Sequence, residues 1–170
     1  MRIFALIVFV IFIPVFIFIW GLVFITSKTR SQVVFKQTRL GQHKREFTIY
    51  KFRTMDGDKI TVMGKYLRKT GFDEMPQLIN IIRNDMSFVG PRPLTQFDVD
   101  RLMWNAPECA GRWNVKPGIT GLAQLSDICD AGLSLQKDLY YVKNKNAVLD
   151  IKILLQSLLI RIVGKRKIQS

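Results

Sequence analysis

Two neighbouring carboxylates, Asp73 and Glu74, are the residues of this sequence whose type and spacing best suit chemistry. Pro76 follows them, and because proline is tolerated only in the first turn of a helix, the sequence predicts a helix that begins around Glu74 or Met75. The pair then lies beside unsatisfied backbone N–H groups, at the positive end of the helix dipole. Acidic residues in that position can simply cap the helix. Alternatively, the same position attracts phosphate, and adjacent carboxylates supply hard oxygen ligands for Mg²⁺.

Other common kinds of catalytic or metal site have few residues available. The 170 residues include one histidine, His43, and two cysteines, Cys109 and Cys129. The sequence has no Cys-x-x-Cys pair and no Cys/His cluster suited to zinc, and two cysteines are too few for a disulfide scaffold. A chain that is 48% hydrophobic is also not a disordered tail.

The chain is strongly basic, with 26 Lys+Arg against 13 Asp+Glu and a formal net charge of +13. Much of the excess lies between Lys28 and Lys69, where 12 basic residues face three acidic ones. Such a region attracts anionic lipid headgroups or a phosphate-bearing ligand. Nucleic acid is discounted as a partner, because no helix-turn-helix, RNP or zinc-finger pattern accompanies the charge.

An apolar segment precedes this basic region. Residues 3–25 contain no charged side chain, and about 20 apolar residues suffice to cross a ~30 Å hydrocarbon core. Pro14 near the middle breaks or kinks the helix, and positive charge lies at both ends, in Arg2 and in Lys28 and Arg30. Since Lys and Arg prefer the cytoplasmic side, this pattern favours a helix that enters the membrane, bends and returns. A kinked spanning helix is the alternative.

Shorter elements are predicted between the apolar segment and the carboxylates. Segments 33–37 and 47–52 read as strands, joined by a turn over 39–42 in which Gly41 takes a positive φ. Thr61 is placed to cap a short helix, and Gly71 to end it.

The last predicted element is a helix over 147–163. Its apolar residues fall at helical spacing on one face: Ile151, Leu154, Leu155, Leu158, Leu159 and Ile162. The cationic run Lys165, Arg166 and Lys167 follows. This combination suits an amphipathic helix at an anionic membrane surface, and equally a core helix with a solvated basic tail.

Six blocks of sequence, in order, resemble the signature of the bacterial sugar transferases, the monotopic polyprenol-phosphate phosphoglycosyl transferases. The most telling pair is Asp73–Glu74–Met75–Pro76–Gln77–Leu78 and the run from Asn84 to Leu94, which contains Pro91–Arg92–Pro93. The remaining blocks are 50–55, 64–70, 116–124 and 138–142. The resemblance covers nearly the whole chain, and the length is that of the small, minimal form.

The resemblance implies a mixed α/β fold that is mainly helical. It implies a re-entrant membrane helix over 1–27, broken at Pro14, and one small globular catalytic domain over 28–170 with amphipathic interfacial helices. It places the protein on the cytoplasmic face of the bacterial inner membrane. The implied reaction transfers a sugar 1-phosphate from a UDP-sugar to polyprenol phosphate, such as undecaprenol phosphate, and releases UMP. Membrane lipid and downstream glycosyltransferases are the further partners that it suggests.

The resemblance also assigns roles to particular residues. Asp73 matches the family's nucleophile, which forms a covalent aspartyl intermediate, and Glu74 matches its neighbour in the dyad. Both would hold Mg²⁺, the implied cofactor. Arg68 and Arg92 match arginines that bind substrate phosphate, and Lys116 stands where the family usually has a third cation, an arginine.

Several positions depart from the family pattern or carry weaker expectations. At Lys116, a lysine replaces a bidentate guanidinium with a point charge. Leu122 stands in place of a common tryptophan. Lys51 and Arg53 are expected to orient the fold or lipid phosphates. A catalytically inactive, membrane-tethered basic module that binds anionic lipid or nucleic acid is the alternative function; it would explain the charge but not the Asp-Glu block followed by Pro-Arg-Pro.

Overall fold

The computed structural model describes residues 2–26, 32–125 and 130–163. Within these ranges the fold is mainly helical with three two-stranded sheets, which confirms the predicted mixed, mainly helical class. The helices are α1 (Arg2–Ile11), α2 (Ile13–Thr26), α3 (Val62–Thr70), α4 (Leu78–Ile82), α5 (Gln96–Arg101), α6 (Ala131–Asn144) and α7 (Ala147–Val163). The strands are β1 (Val34–Leu40), β2 (Glu46–Phe52), β3 (Met55–Asp56), β4 (Lys59–Ile60), β5 (Ser87–Val89) and β6 (Gly118–Thr120).

The chain divides into two compact units. The first unit comprises Met1–Gln37 and Thr48–Asn84, and the second comprises Thr38–Phe47 and Asp85–Ser170. The predicted division into a membrane helix over 1–27 and a catalytic domain over 28–170 stays a prediction.

The N-terminal helix of the first unit is broken near Pro14. Helices α1 and α2 meet at Phe12 with a bend of 63°. Proline lacks an N–H and clashes with the carbonyl of Val10 four residues earlier, which accounts for the break. Large apolar side chains are exposed along both helices, from Ile3 at 76% to Ile25 at 73%. In the part of the chain that the structure describes, no single helix is long and apolar enough to cross a membrane, whereas this bent pair has the length and composition to do so.

The core of the first unit forms where α2 packs on α3 and β2. Its buried side chains are Ile19, Val23, Val33, Phe52 and Leu67. Helix α3 is capped as predicted, because the Thr61 hydroxyl accepts a hydrogen bond from the Gly64 backbone N–H at 2.9 Å. Gly71 ends α3 in the left-handed conformation, with φ of 77°, as also predicted.

The hairpin of β1 and β2 corrects the predicted turn. Gly41 has φ of −103°, and the positive φ angles belong to His43 (55°) and Lys44 (56°), so the assignment to Gly41 was wrong. The small size of glycine still suits position 41 for a different reason. A Cβ there would lie 3.2 Å from the ring of Phe47 and 3.3 Å from the carbonyl oxygen of Arg45, so a larger residue would crowd this close approach across the turn.

The second unit contains two hydrophobic clusters. One is formed by Leu40, Leu94, Val99, Trp104, Cys109 and Trp113. The other, formed by Val89, Tyr141 and Ile153, holds α6 and α7 against β5. Strands β5 and β6 pair in parallel, with Ser87 opposite Gly118 and Val89 opposite Thr120.

Helix α7 has the predicted bounds, but its apolar stripe faces away from the protein. Ile153 is 1% exposed, whereas the predicted stripe residues from Ile151 to Leu159 are between 39% and 57% exposed. The interpretation of α7 as a plain core helix was therefore wrong. The Ile162 side chain and the cationic run 165–167 lie outside the described residues.

Candidate active site

Asp73 and Glu74 lie in the first turn of a 3-10 helix over Phe72–Gln77, directly after Gly71. The predicted start at Glu74 or Met75 was thus late, and the α-helical backbone of α4 begins only at Leu78. The Glu74 N–H bonds to the Gly71 carbonyl at 3.1 Å, three residues earlier, which is the 3-10 pattern, and Pro76 with no N–H leaves one later bond of the turn unmade. The predicted placement of the two acids at a helix start is confirmed.

Glu74 forms an ion pair with Lys51 of strand β2. The Lys51 Nζ lies 2.8 Å from Glu74 Oε1, and the two side chains are 25% and 22% exposed. At that exposure the pair is only partly screened by solvent, so it fixes both side chains more firmly than a surface pair does. Lys51 was expected to orient the fold or lipid phosphates; the structure pairs it instead with one of the two predicted catalytic carboxylates.

A buried amide fixes the position of the acidic segment relative to Lys51. Asn80 of α4 is fully buried; its Nδ2 donates to the Thr48 carbonyl at 2.7 Å, and its Oδ1 accepts from the Tyr50 N–H at 3.3 Å. These bonds join α4 to β2 on either side of Ile49, just before Lys51, and set the register between strand and helix. Sequence reasoning gave Asn80 no role, because an asparagine among apolar residues has no distinctive spacing.

Arg68 lies in the last turn of α3, close in sequence to the acidic turn. Its Nε donates to the Thr54 hydroxyl at 2.8 Å, and Thr54 itself is buried at 7% exposed. The side chain as a whole is exposed. Arg68 is thus an accessible guanidinium that is oriented along one edge, which suits binding of phosphate oxygens.

Arg92 and Lys116 lie in the second unit, on segments that flank the pairing of β5 with β6. The chain turns back after β5, and the two segments touch closely: a Cβ on Gly90 would lie 2.3 Å from the Lys116 carbonyl oxygen, and one on Gly118 would lie 2.1 Å from the Gly90 nitrogen. Only glycine permits this approach. The Arg92 side chain is exposed and that of Lys116 is half-buried.

A buried ion pair that sequence reasoning missed supports the Arg92 segment. Arg112 Nε lies 2.8 Å from Asp138 Oδ2, and both side chains are under 5% exposed. Burial lowers the pKa of Arg112 and raises the pKa of Asp138, while the attraction between them opposes both changes. Asp138 belongs to one of the resembling blocks, and this was the only signal for it.

The predicted site residues fall into two sets. Asp73, Glu74 and Arg68 belong to the first unit, and Arg92 and Lys116 belong to the second. Among residues 2–26, 32–125 and 130–163, no group of three or more His, Cys, Asp or Glu side chains could hold a metal by itself. Two carboxylates still fit Mg²⁺, which commonly takes one or two of them and completes its shell with water and substrate phosphates.

Comparison with known proteins agrees with the resemblance. The model of a family described as bacterial sugar transferase matches residues 2–164. An uncharacterised sugar transferase, EpsL, of Bacillus subtilis is 39% identical, over 81% of this chain and 74% of that protein.

Two further relatives have more specific names. A UDP-N-acetylgalactosamine-undecaprenyl-phosphate N-acetylgalactosaminephosphotransferase of Aeromonas hydrophila is 36% identical, over 80% of this chain and 37% of that protein. A UDP-glucose:undecaprenyl-phosphate glucose-1-phosphate transferase of Caulobacter vibrioides is 34% identical, over 78% of this chain and 58% of that protein. The chain therefore spans little more than a third of one of these relatives and under two thirds of the other. With the family model matched from residue 2 to residue 164, this chain belongs to the bacterial sugar transferase family.

Proposed function

We propose that this chain is a phosphoglycosyl transferase that moves a sugar 1-phosphate from a UDP-sugar to a polyprenol phosphate such as undecaprenol phosphate. The products are a polyprenol-diphosphate-sugar and UMP. The observation that carries the proposal is the acidic pair at the start of the 3-10 helix, where Glu74 is held by Lys51 at 2.8 Å next to Asp73 in the chain. The names of the relatives, which include undecaprenyl-phosphate sugar phosphotransferases, support the substrate classes.

Asp73 is the proposed nucleophile. One of its carboxylate oxygens attacks the sugar-bearing phosphorus of the donor, the bond from that phosphorus to the bridging oxygen breaks, and UMP leaves with the electron pair. An oxygen of the polyprenol phosphate then attacks the same phosphorus, and the Asp73 carboxylate is released. The covalent intermediate divides one difficult transfer into two easier steps.

The basic residues have the complementary role of holding phosphate. Arg68 and Arg92 present exposed guanidinium groups, whose planar fork grips phosphate oxygens at two points. Lys116 contributes a single positive charge. Lys51 balances the charge of Glu74 and so keeps that carboxylate in one orientation.

Mg²⁺ is the proposed cofactor, and Asp73 and Glu74 are the residues that would hold it. When bound, it would neutralise the charge of the diphosphate and stabilise the departing UMP. The two carboxylates are half-buried and adjacent in sequence, which is the kind of oxygen donor set that this ion uses.

The proposed location is the cytoplasmic face of the bacterial inner membrane. The exposed apolar surface of α1 and α2 and their 63° bend support a re-entrant helix that begins and ends on the same side. Such a segment, with the exposed stripe of α7, would hold the enzyme where a lipid-linked acceptor is found.

The test of the function is release of UMP from a panel of UDP-sugars by the purified chain in detergent. We expect release that requires both Mg²⁺ and polyprenol phosphate for multiple turnovers, with one sugar preferred. Asp73→Asn should abolish it, whereas Asp58→Asn, the same change at an exposed residue in the β3–β4 turn, should leave it intact. Absence of release from every donor would instead favour an inactive, lipid-binding module.

A further inference from the structure

The backbone around Arg92 is held at both of its ends by other segments of the second unit. The Pro91 carbonyl accepts a hydrogen bond from the Gly118 N–H at 3.0 Å, and the Leu94 carbonyl accepts one from the Leu40 N–H at 2.8 Å. The prolines on either side of Arg92 also restrict φ. The exposed arginine therefore stands on a short segment with little backbone freedom.

Two arginine side chains complete the hold on this segment. The Nη2 of Arg112 donates to the carbonyl of Arg92 itself, and the Nη1 of Arg39 donates to the carbonyl of Pro93 at 3.2 Å. Together with the two backbone bonds, four consecutive carbonyls are hydrogen-bonded. Few loop segments are held so completely, since loop carbonyls usually bond to water.

The Arg112 side chain is itself held in place by a carboxylate and two aromatic rings. Its Nε bonds to Asp138, and its Cζ lies 5.1 Å from the ring centre of Trp104 and 4.8 Å from that of Trp113. A buried guanidinium is costly unless its donors are satisfied. Here Nε reaches a carboxylate and Nη2 reaches a main-chain carbonyl, and the single ammonium of a lysine lacks the fixed planar fork that holds two nitrogens at these places.

Arg39 repeats the arrangement on the other side of the segment. Its Nη1 lies 3.4 Å from Asp98 Oδ2 as well as contacting the Pro93 carbonyl. The same carboxylate oxygen accepts from the Thr95 backbone N–H at 3.1 Å, which is one half of the capping box of helix α5. Each of the two arginines is thus oriented by its own carboxylate.

We infer that Arg112 and Arg39 are positioning residues for Arg92, holding its backbone so that its exposed guanidinium is set in place before substrate phosphate arrives. This inference rests on the proposed function, which gives Arg92 a phosphate to bind. A segment that is already ordered loses little conformational entropy when substrate binds. More of the free energy of the Arg92–phosphate contact is then left for binding and for stabilising the transition state.

The test is a double-mutant cycle with two readouts, UMP release and affinity for UDP, a diphosphate that cannot be transferred. Arg112→Lys should lower kcat/KM and UDP affinity by about tenfold or more, because small misplacement of a binding group has large effects. In an Arg92→Met background the same Arg112→Lys change should cost less than about twofold, since nothing remains to be positioned. Arg45→Lys, the same change at an exposed arginine of the hairpin turn, is the matched control.

The outcomes separate the inference from the function on which it rests. Equal losses in both backgrounds, or a loss no greater than that of Arg45→Lys, would overturn the positioning role. Suppose instead that Arg112→Lys lowers UDP affinity only when Arg92 is present, and that no UMP is released. This would support the positioning role and overturn the transferase. Neither UDP binding nor release would overturn both. If Arg112→Lys does not fold, Arg39→Lys, at a side chain only 18% exposed, takes its place in the cycle.

Discussion

The ion pair of Lys51 and Glu74 joins a strand to the acidic turn that the sequence singled out. At 2.8 Å, and with about a quarter of each side chain exposed, it lies between a solvated surface pair and a buried one. Its main consequence is orientation, because the Glu74 side chain cannot turn away from Lys51 without losing the contact. Lys51 thus contacts one of the two proposed catalytic carboxylates, whereas Arg53 bonds to Gln32.

Replacement of Lys51 tests this role. We expect Lys51→Met to lower kcat/KM by about tenfold, with a change of less than ~1 kcal/mol in the free energy of unfolding, because a partly exposed pair contributes little to stability. Lys51→Arg should recover most of the rate. Lys59→Met, at an exposed strand residue, is the control for loss of one positive charge. Should Lys51→Met and Lys59→Met behave alike, Lys51 has no role in catalysis.

Among the elements, those whose ends are set by residues close in the chain were predicted best from the sequence. The cap of α3 by Thr61 and its end at Gly71 depend on hydrogen bonds and φ angles within a few residues, and both predictions are confirmed. The prediction of a positive φ at Gly41 failed because the positive φ angles fall at His43 and Lys44. Gly41 instead lies close to Phe47, a residue on the next strand. The helix start was misplaced because it was placed by counting back from Pro76 as in an α-helix, whereas the segment begins as a 3-10 helix with the Glu74 N–H bonded to the Gly71 carbonyl.

The bend between α1 and α2 yields a prediction about topology. In a chain carrying Cys109→Ala and Cys129→Ala, a cysteine introduced as Ile3→Cys should react with an impermeant maleimide in inverted membrane vesicles and not in intact cells. Pro14→Ala should allow α1 and α2 to form one longer helix, because the broken hydrogen bond is restored. A fraction of Ile3→Cys should then be labelled from outside the cell.

Lys59→Cys in the β3–β4 hairpin is the control, and under the proposed location it should be labelled only in the inverted vesicles. Labelling of Ile3→Cys from outside intact cells while Pro14 is still present would show that the segment spans the membrane. The proposed re-entrant geometry would then be discarded.

For the molecule as a whole, contacts between residues far apart in the chain could not be predicted from the sequence. Lys51 and Glu74 are 23 residues apart, and Arg112 and Asp138 are 26 apart. No periodicity links such residues, so their pairing depends on how the elements pack. The resemblance marked Asp138 and Arg92 as members of separate blocks, but only the structure shows that Arg112 connects them.

The exposed stripe of α7 carries a prediction about how the molecule lies on the bilayer. A spin label at Leu158→Cys, in the full chain held in lipid nanodiscs, should be more accessible to oxygen than to a water-soluble nickel chelate. Leu158 is 57% exposed in the protein, and an apolar surface of this kind is stabilised by burial among acyl chains.

Gln156→Cys, on the flank of the same helix, should show the reverse preference and is the matched control. Equal access of the nickel chelate to both labels would mean that α7 lies in water. In that case another partner must cover the stripe.

The central claim is that the Asp73 carboxylate becomes covalently bonded to the sugar phosphate, and mass spectrometry tests it most directly. The chain is mixed with the UDP-sugar that supports UMP release, without polyprenol phosphate, and is quenched and digested. The account predicts a peptide containing Asp73 with the added mass of the sugar phosphate, lost when polyprenol phosphate is supplied and absent in Asp73→Asn. An unmodified Asp73 peptide, together with a rate law that requires both substrates to be bound before UMP leaves, would contradict it.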